Sequence, residues 1–175
     1  MGIIGRKIVS QSGLDIDDLL EQLNKAYSDE WLAYYQYWIG AQIVCGVAAP
    51  TLISELEEHA NEELQHAQKL SKRIVELGGT PVLSPKEWYQ KSTCGFLTPD
   101  NADAAVILTQ NVQGERCAIA VYNKLLNIVK GKDFITAHLI REILEEEVEH
   151  EQDLENLAND FQISLPLCST CNCKK

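Results

Sequence analysis

Two stretches of this chain carry the same four-residue pattern, Glu63-Leu64-Gln65-His66 and Glu147-Val148-Glu149-His150. A carboxylate and an imidazole three residues apart share one helix face, with roughly 5–6 Å between their Cβ atoms. Both can ligate one metal ion. A single Glu-x-x-His is weak evidence. Here each copy follows another glutamate at nearly the same distance: Glu30 precedes Glu63 by 33 residues, and Glu115 precedes Glu147 by 32. Tyr37 lies seven residues after Glu30 and Tyr122 seven after Glu115, each on the helix face of its glutamate. The chain therefore repeats itself. The repeat predicts a pseudo-two-fold helical bundle in which Glu30, Glu63, His66, Glu115, Glu147 and His150 converge.

The rest of the sequence agrees with such a bundle. Helices are expected over about residues 15–45, 51–77, 101–129 and 133–160, with a short arm of mixed character at 1–14 and an irregular, Cys-containing tail at 161–175. Asp15, Asp17 and Asp18 suit the positive end of the first helix. Leu19, Leu20, Leu23, Ala26 and Tyr27 begin its apolar face. Thr51 reads as the cap of the second helix, with Pro50 in the turn before it. Gly78-Gly79-Thr80-Pro81 ends that helix. Residues 78–99 form a long link with a short helical turn at 85–91, and Asp100 or Asn101 caps the third helix. A link of roughly 20 residues reaches at most about 70 Å, more than the roughly 40–45 Å length of such helices. It can join parallel second and third helices. The expected fold is all-α: a four-helix bundle with one long crossover between the second and third helices.

Six inward ligands of this kind hold two carboxylate-bridged iron or manganese ions in helical bundles. Hard carboxylate oxygens with one imidazole per metal suit Fe²⁺ or Mn²⁺. Coordination positions left open admit oxygen or peroxide. Tyr37 is placed to serve beside the metals, as hydrogen-bond donor or electron donor. Other residues read differently. His59 and His138 fit no repeat and are assigned to the surface or to positions beside the ligands. Glu62 and Glu146, four before each histidine, look like decoys for the ligand roles. Trp31, Tyr34, Tyr35 and Trp38 read as packing, and Cys45 as a buried residue at a helix end.

Bulk properties narrow the function. A formal net charge of −11 argues against DNA binding through the protein's own surface. The apolar run over 39–53 is broken by Gln42, Gly46 and Pro50 and is too short to span a membrane. No N-terminal stretch has the order of a signal peptide. The chain reads as cytoplasmic.

Over residues 15–160 the sequence resembles the ferritin-like superfamily. The motifs are Glu30 with Tyr37, Glu63-Leu-Gln-His66, Glu115 and Glu147-Val-Glu-His150, and they are similar to the intrasubunit centre of bacterioferritins. Two features depart from that pattern. Leu64 stands where a haem-ligating Met is found, and the only Met is Met1, so no haem is expected. Only 15 residues follow Asp160, so the fifth helix of the 24-subunit shells looks absent. The combination is similar to thioferritins, Dps-like proteins that form 12-subunit shells and couple peroxide consumption to iron oxidation. The resemblance implies a homododecameric cage with two iron ions per subunit, manganese being the alternative metal. It implies ferroxidase activity with hydrogen peroxide or oxygen, iron storage and protection from oxidative stress. Glu63 and Glu147 would bridge, and Glu30 and Glu115 would be terminal. Thioferritins also carry a Cys pair near the metals, for which Cys94 and Cys117 are the candidates; two unrelated thiols are the alternative. Cys168, Cys171 and Cys173 read as part of a tail. A non-cage di-metal peroxidase or manganese catalase, and a nucleoid-binding Dps-type structural protein, are the competing functions.

Overall fold

A computed structural model describes residues 3–165 of the chain. These residues form six helices: α1 (Ile3–Gln11), α2 (Ile16–Ile43), α3 (Ala49–Leu77), α4 (Pro85–Lys91), α5 (Ala104–Val129) and α6 (Phe134–Asp160). Among the described residues there is no strand, only one isolated bridge between Cys45 and Asp103. Among the described residues no helix is long and apolar enough to cross a membrane. The architecture is the expected all-α bundle: α2, α3, α5 and α6 pack together, and residues 78–103 cross over between α3 and α5.

Each long helix starts or stops for a chemical reason. Asp15 caps α2, its carboxylate accepting from the amides of Asp17 and Asp18. Gly78 ends α3 at φ 87°, the left-handed geometry that a glycine adopts without strain. Asp103 caps α5. Asp133 caps α6 through the amides of Ile135 and Thr136. Several boundaries differ from expectation. Pro50 belongs to the first turn of α3, where a missing N–H costs nothing, so Thr51 is inside the helix. Asp103, rather than Asp100 or Asn101, caps α5. Residues 3–11 of the expected arm form helix α1, which buries Val9 against the bundle.

The core is divided into three layers along the bundle. At one end Leu19, Leu23, Leu70, Ile74, Leu125 and Ile140 pack together. At the other end Leu52, Leu56, Ile107, Leu108, Val112 and Leu154 do the same. Between them lies a buried polar layer. The apolar layers exclude water from both ends of that layer. The crossover is fastened to α2 by side chains spaced along its length. Asn24 Oδ1 accepts the Val82 amide at 2.9 Å, Asp29 Oδ1 accepts the Thr93 and Cys94 amides at 2.8 Å each, and Gln36 Oε1 accepts the Leu97 amide at 2.9 Å. Trp88 of α4 stacks on Trp31 of α2 with ring centroids 4.9 Å apart. Trp31 and Tyr34 thus pack as expected, while Tyr35 and Trp38 are packed at the surface and remain over 40% exposed. Cys45 is exposed, not buried: α2 has already ended, and its sulfur reaches the Ala102 carbonyl at 3.4 Å.

Asp133 does more than cap α6. Its Oδ2 accepts from Arg73 Nη2 at 2.8 Å and from the Thr136 hydroxyl, joining α3 to the start of α6. Asp133→Ala removes the cap and leaves the Arg73 guanidinium without that carboxylate. The expected loss is roughly 2 kcal/mol or more of stability, read as a lower urea midpoint. Asp103→Ala, at an exposed cap, should cost about half as much.

Candidate metal centre

The buried polar layer contains all six ligand candidates, brought in from four helices: Glu30 on α2, Glu63 and His66 on α3, Glu115 on α5, Glu147 and His150 on α6. None is more than 2% exposed. Two sets of donors form. Glu30, Glu63, His66 and Glu147 can each offer an atom within 4.8 Å of the others, and so can Glu63, Glu115, Glu147 and His150. Glu63 and Glu147 belong to both sets. Each turns one oxygen toward each imidazole. Glu63 Oε2 lies 3.4 Å from His66 Nδ1, and its Oε1 lies 3.4 Å from His150 Nδ1. Glu147 Oε1 lies 3.1 Å from His66 Nδ1, and its Oε2 lies 3.9 Å from His150 Nδ1. That is the posture of a bridging carboxylate. Glu30 faces only His66, at 3.3 Å, and Glu115 only His150, at 3.8 Å.

The charges in this layer call for cations. Burial and the charge on Glu63 push Glu30 well above the ordinary carboxylate range. Burial, with Glu63, Glu115 and Glu30 nearby, does the same to Glu147. Burial also opposes ionisation of Glu63, but the nearby His150 and His66 imidazoles outweigh it and hold Glu63 low. Burial disfavours the charged imidazoles; the surrounding carboxylates overcome this, raising His66 strongly and His150 to about 12. Two imidazolium groups supply half the positive charge that four carboxylates require. Two divalent cations beside neutral imidazoles supply all of it. Glu63 Oε1, Glu115 Oε2, both oxygens of Glu147 and His150 Nδ1 are buried without a hydrogen-bond partner. Buried polar atoms of this kind are costly unless something coordinates them. The residues present therefore fit a pair of metal ions.

The two halves of the repeat complete each other. Tyr37 donates its hydroxyl hydrogen bond to Glu115, and Tyr122 donates to Glu30. Both phenols are fully buried, and burial together with these carboxylates raises their pKa well above the usual value, so they stay protonated donors. The same exchange appears behind the imidazoles. His66 Nε2 on α3 meets Glu146 on α6 at 2.5 Å, and His150 Nε2 on α6 meets Glu62 on α3 at 2.8 Å. Glu62 and Glu146 thus stand behind the imidazoles as their hydrogen-bond partners. Each holds the outer nitrogen of the opposite histidine and so aims its Nδ1 inward. The sequence signal was present, since both lie four residues before a histidine, but the partner is on the other helix. His59 is buried beside the centre, its ring stacked on His150 at 4.1 Å. His138 is exposed, near Arg141, and takes no part.

Cys94 and Cys117 are joined as a disulfide with Cα atoms 5.7 Å apart, tying the crossover to α5. A cavity of about 50 Å³ lies between this link and the centre, lined by Asp29, Glu30, Tyr37, Cys94, Glu115 and Glu147 among others. It has room for water or a molecule of similar size. Cys168, Cys171 and Cys173 lie outside the described residues.

Residues 20–163 match the ferritin-like domain family. The chain belongs to this family. It is 34% identical to the DNA protection during starvation protein of Pyrococcus furiosus over 87% of this chain and 83% of that one. It is 31% identical to a bacterioferritin of Desulfovibrio desulfuricans over 82% and 76% of the two chains. Among solved structures it is similar to a dodecameric thioferritin, the bacterioferritin-related protein from Bacteroides fragilis. The TM-score is 0.90 at 45% identity, covering 92% of this chain and 95% of that one.

Two predictions follow from these neighbours of the ligands. Glu62→Gln and Glu146→Gln should each weaken metal binding at the centre roughly 10- to 100-fold, measured by Zn²⁺ competition against a chelator. Asp29 is the other. Burial raises its carboxyl to about 7, against the opposing pull of the Cys94, Thr93 and Gly95 amides. A raised folded-state pKa stabilises below the unfolded value near 4 and is lost as pH rises toward 7. Asp29→Asn should therefore raise the melting temperature of the metal-free protein at pH 8 and change it little at pH 4.

Proposed function

We propose that this chain is the subunit of a ferroxidase and iron-storage cage. The observation that carries this reading is the pair of four-donor sets sharing Glu63 and Glu147. Two Fe²⁺ ions are the substrate. Each loses one electron, and one hydrogen peroxide takes both electrons and two protons to give two waters. With oxygen as oxidant, two such pairs reduce one molecule to water. His66 with Glu30 would hold one ion, His150 with Glu115 the other, and the shared carboxylates would keep the two close enough to react together. Tyr37 and Tyr122 would restrain the terminal carboxylates through their hydrogen bonds. The cavity beside Cys94 would admit the small oxidant. The disulfide would be redox-active in a reducing compartment.

The Fe³⁺ product would pass to a mineral inside a shell of identical subunits. Likeness to a dodecameric thioferritin supports 12 of them. The Pyrococcus relative is named for DNA protection. Here the reading is protection by removing peroxide and Fe²⁺ together, because a chain of charge −11 is poorly suited to holding DNA.

The Glu63→Ala, Glu147→Ala double variant should lose rapid Fe²⁺ oxidation, followed by stopped-flow absorbance, while keeping its assembly. Unchanged oxidation kinetics would rule out this centre. Light scattering on the parent protein should give a particle of about 12 subunits that accumulates iron; a monomer or dimer rejects the cage.

A further inference from the structure

The chain leaves the bundle at a defined place close to the disulfide. After α6 the Ile163 amide donates to the Ala158 carbonyl at 2.7 Å, and Ile163 and Leu165 pack against the apolar layer at that end of the bundle. A surface groove of about 500 Å³ is lined by Ile163 and Leu165 together with Arg116 of α5 and Glu155 of α6. Arg116 is held there by Glu151 and Glu155 at 2.7 Å each. The next residue along α5, with its Cα about 3.8 Å from that of Arg116, is Cys117, half-buried in its bond to Cys94.

Residues 166–175 continue from that groove and lie outside the described residues. They include Cys168, Cys171 and Cys173, two lysines and no acidic residue. A chain segment spans at most about 3.3–3.6 Å per residue, so Cys168 lies within roughly 10 Å of Leu165 and Cys171 within roughly 20 Å. That reach brings the Cys94–Cys117 bond within range of the same chain's own thiols. Cys168 and Cys171 have the Cys-x-x-Cys spacing that pairs a reactive thiol with a second one able to resolve it. Three thiols, with no histidine or fourth cysteine among residues 161–175, do not complete a structural zinc site. Lys174 and Lys175 beside Cys173 favour the thiolate, the form that attacks disulfides. The same positive charge suits a groove edged by Glu155 in a chain of net charge −11.

Building on the redox-active disulfide of the function proposed above, we propose that residues 166–175 dock along the Arg116 groove and that their thiols exchange with the Cys94–Cys117 disulfide of the same chain. A thiolate of the tail attacks one sulfur of that disulfide. A new S–S bond forms, the Cys94–Cys117 bond breaks, and the released sulfur takes a proton. A second tail thiolate then attacks the mixed disulfide, closing a bond within the tail and freeing the other sulfur as a thiol. Two electrons pass from the tail to the Cys94–Cys117 pair, and as many protons are taken up as are released. A dithiol reductant restores the tail. Because Cys94 borders the cavity beside the metal centre, the exchange delivers two reducing equivalents to the wall of that cavity.

Two measurements on the full chain test this. The first uses Cys94→Ser, with one of Cys168, Cys171 and Cys173 kept at a time and the other two changed to Ser. In at least one of these variants diamide should join Cys117 to the remaining tail cysteine within one chain. Peptide mass mapping identifies the pair, and a non-reducing denaturing gel shows it as a monomer. A Cys117 that stays a thiol in all three variants overturns the exchange, and so does a bond to Cys45 or to a second chain. The second keeps Cys94 and Cys117 and changes all three tail cysteines to Ser. Reduction of the disulfide by about 0.1 mM dithiothreitol should then slow roughly tenfold, since a tethered thiol acts at an effective concentration on the order of 1 mM. Equal rates overturn the exchange. A disulfide that dithiothreitol never opens in the parent overturns the redox-active reading as well. Failure of the ferroxidase reading appears separately, in the Fe²⁺ oxidation kinetics of the Glu63→Ala, Glu147→Ala variant.

Discussion

Four carboxylates are buried within reach of two imidazoles, in a layer that water does not enter from either end of the bundle. Isolated charges in such a place are strongly unfavourable. Opposite charges and hydrogen-bond donors arranged around them offset part of that cost. The shared position of Glu63 and Glu147, the tyrosine donors to Glu30 and Glu115, and the carboxylates behind each histidine follow from that single requirement. The apolar layers above and below supply the folding free energy that tolerates the polar middle. Caps such as Asp15 and Asp133 fix where the helices begin, and hence the register at which four chain segments meet.

The crossover matters for a different reason. It is the least regular part of the chain, yet it forms one wall of the cavity beside the centre. Asn24, Asp29 and Gln36 hold it at three heights along α2, the Trp31–Trp88 stack pins its short helix, and the disulfide fastens it to α5. These polar side chains satisfy loop amides that would otherwise be buried and unpaired. Irregular backbone can thus lie close to a charged core without opening it to water.

Much of this was legible in the sequence because its signals are local. Glu-x-x-His places two donors on one helix face whatever surrounds it, and the half-chain repeat exposes the second copy. Gly78-Gly79 marks a helix end by backbone chemistry alone. What escaped depends on register between helices. Glu62 and Glu146 resemble surface glutamates until α3 and α6 are aligned antiparallel; then each faces the other's histidine. Asp29 and Gln36 look like ordinary polar residues of α2 until the crossover lies against them. His59 has no counterpart in the repeat, so no internal comparison could mark it. Cys45 was misplaced because a helix boundary two residues earlier turns a buried position into an exposed one.

The exchange of tyrosine donors carries a consequence for how the chain becomes a protein. Tyr37 of the first half serves the glutamate of the second, and Tyr122 of the second serves that of the first. Neither half owns a complete set of partners. Separated at the crossover, each fragment would carry a glutamate whose tyrosine donor resides on the other piece. The two halves therefore gain these polar partners only by docking. An ancestral doubling of one helical hairpin would leave this kind of mutual dependence, in which reciprocity between copies replaces self-sufficiency within each.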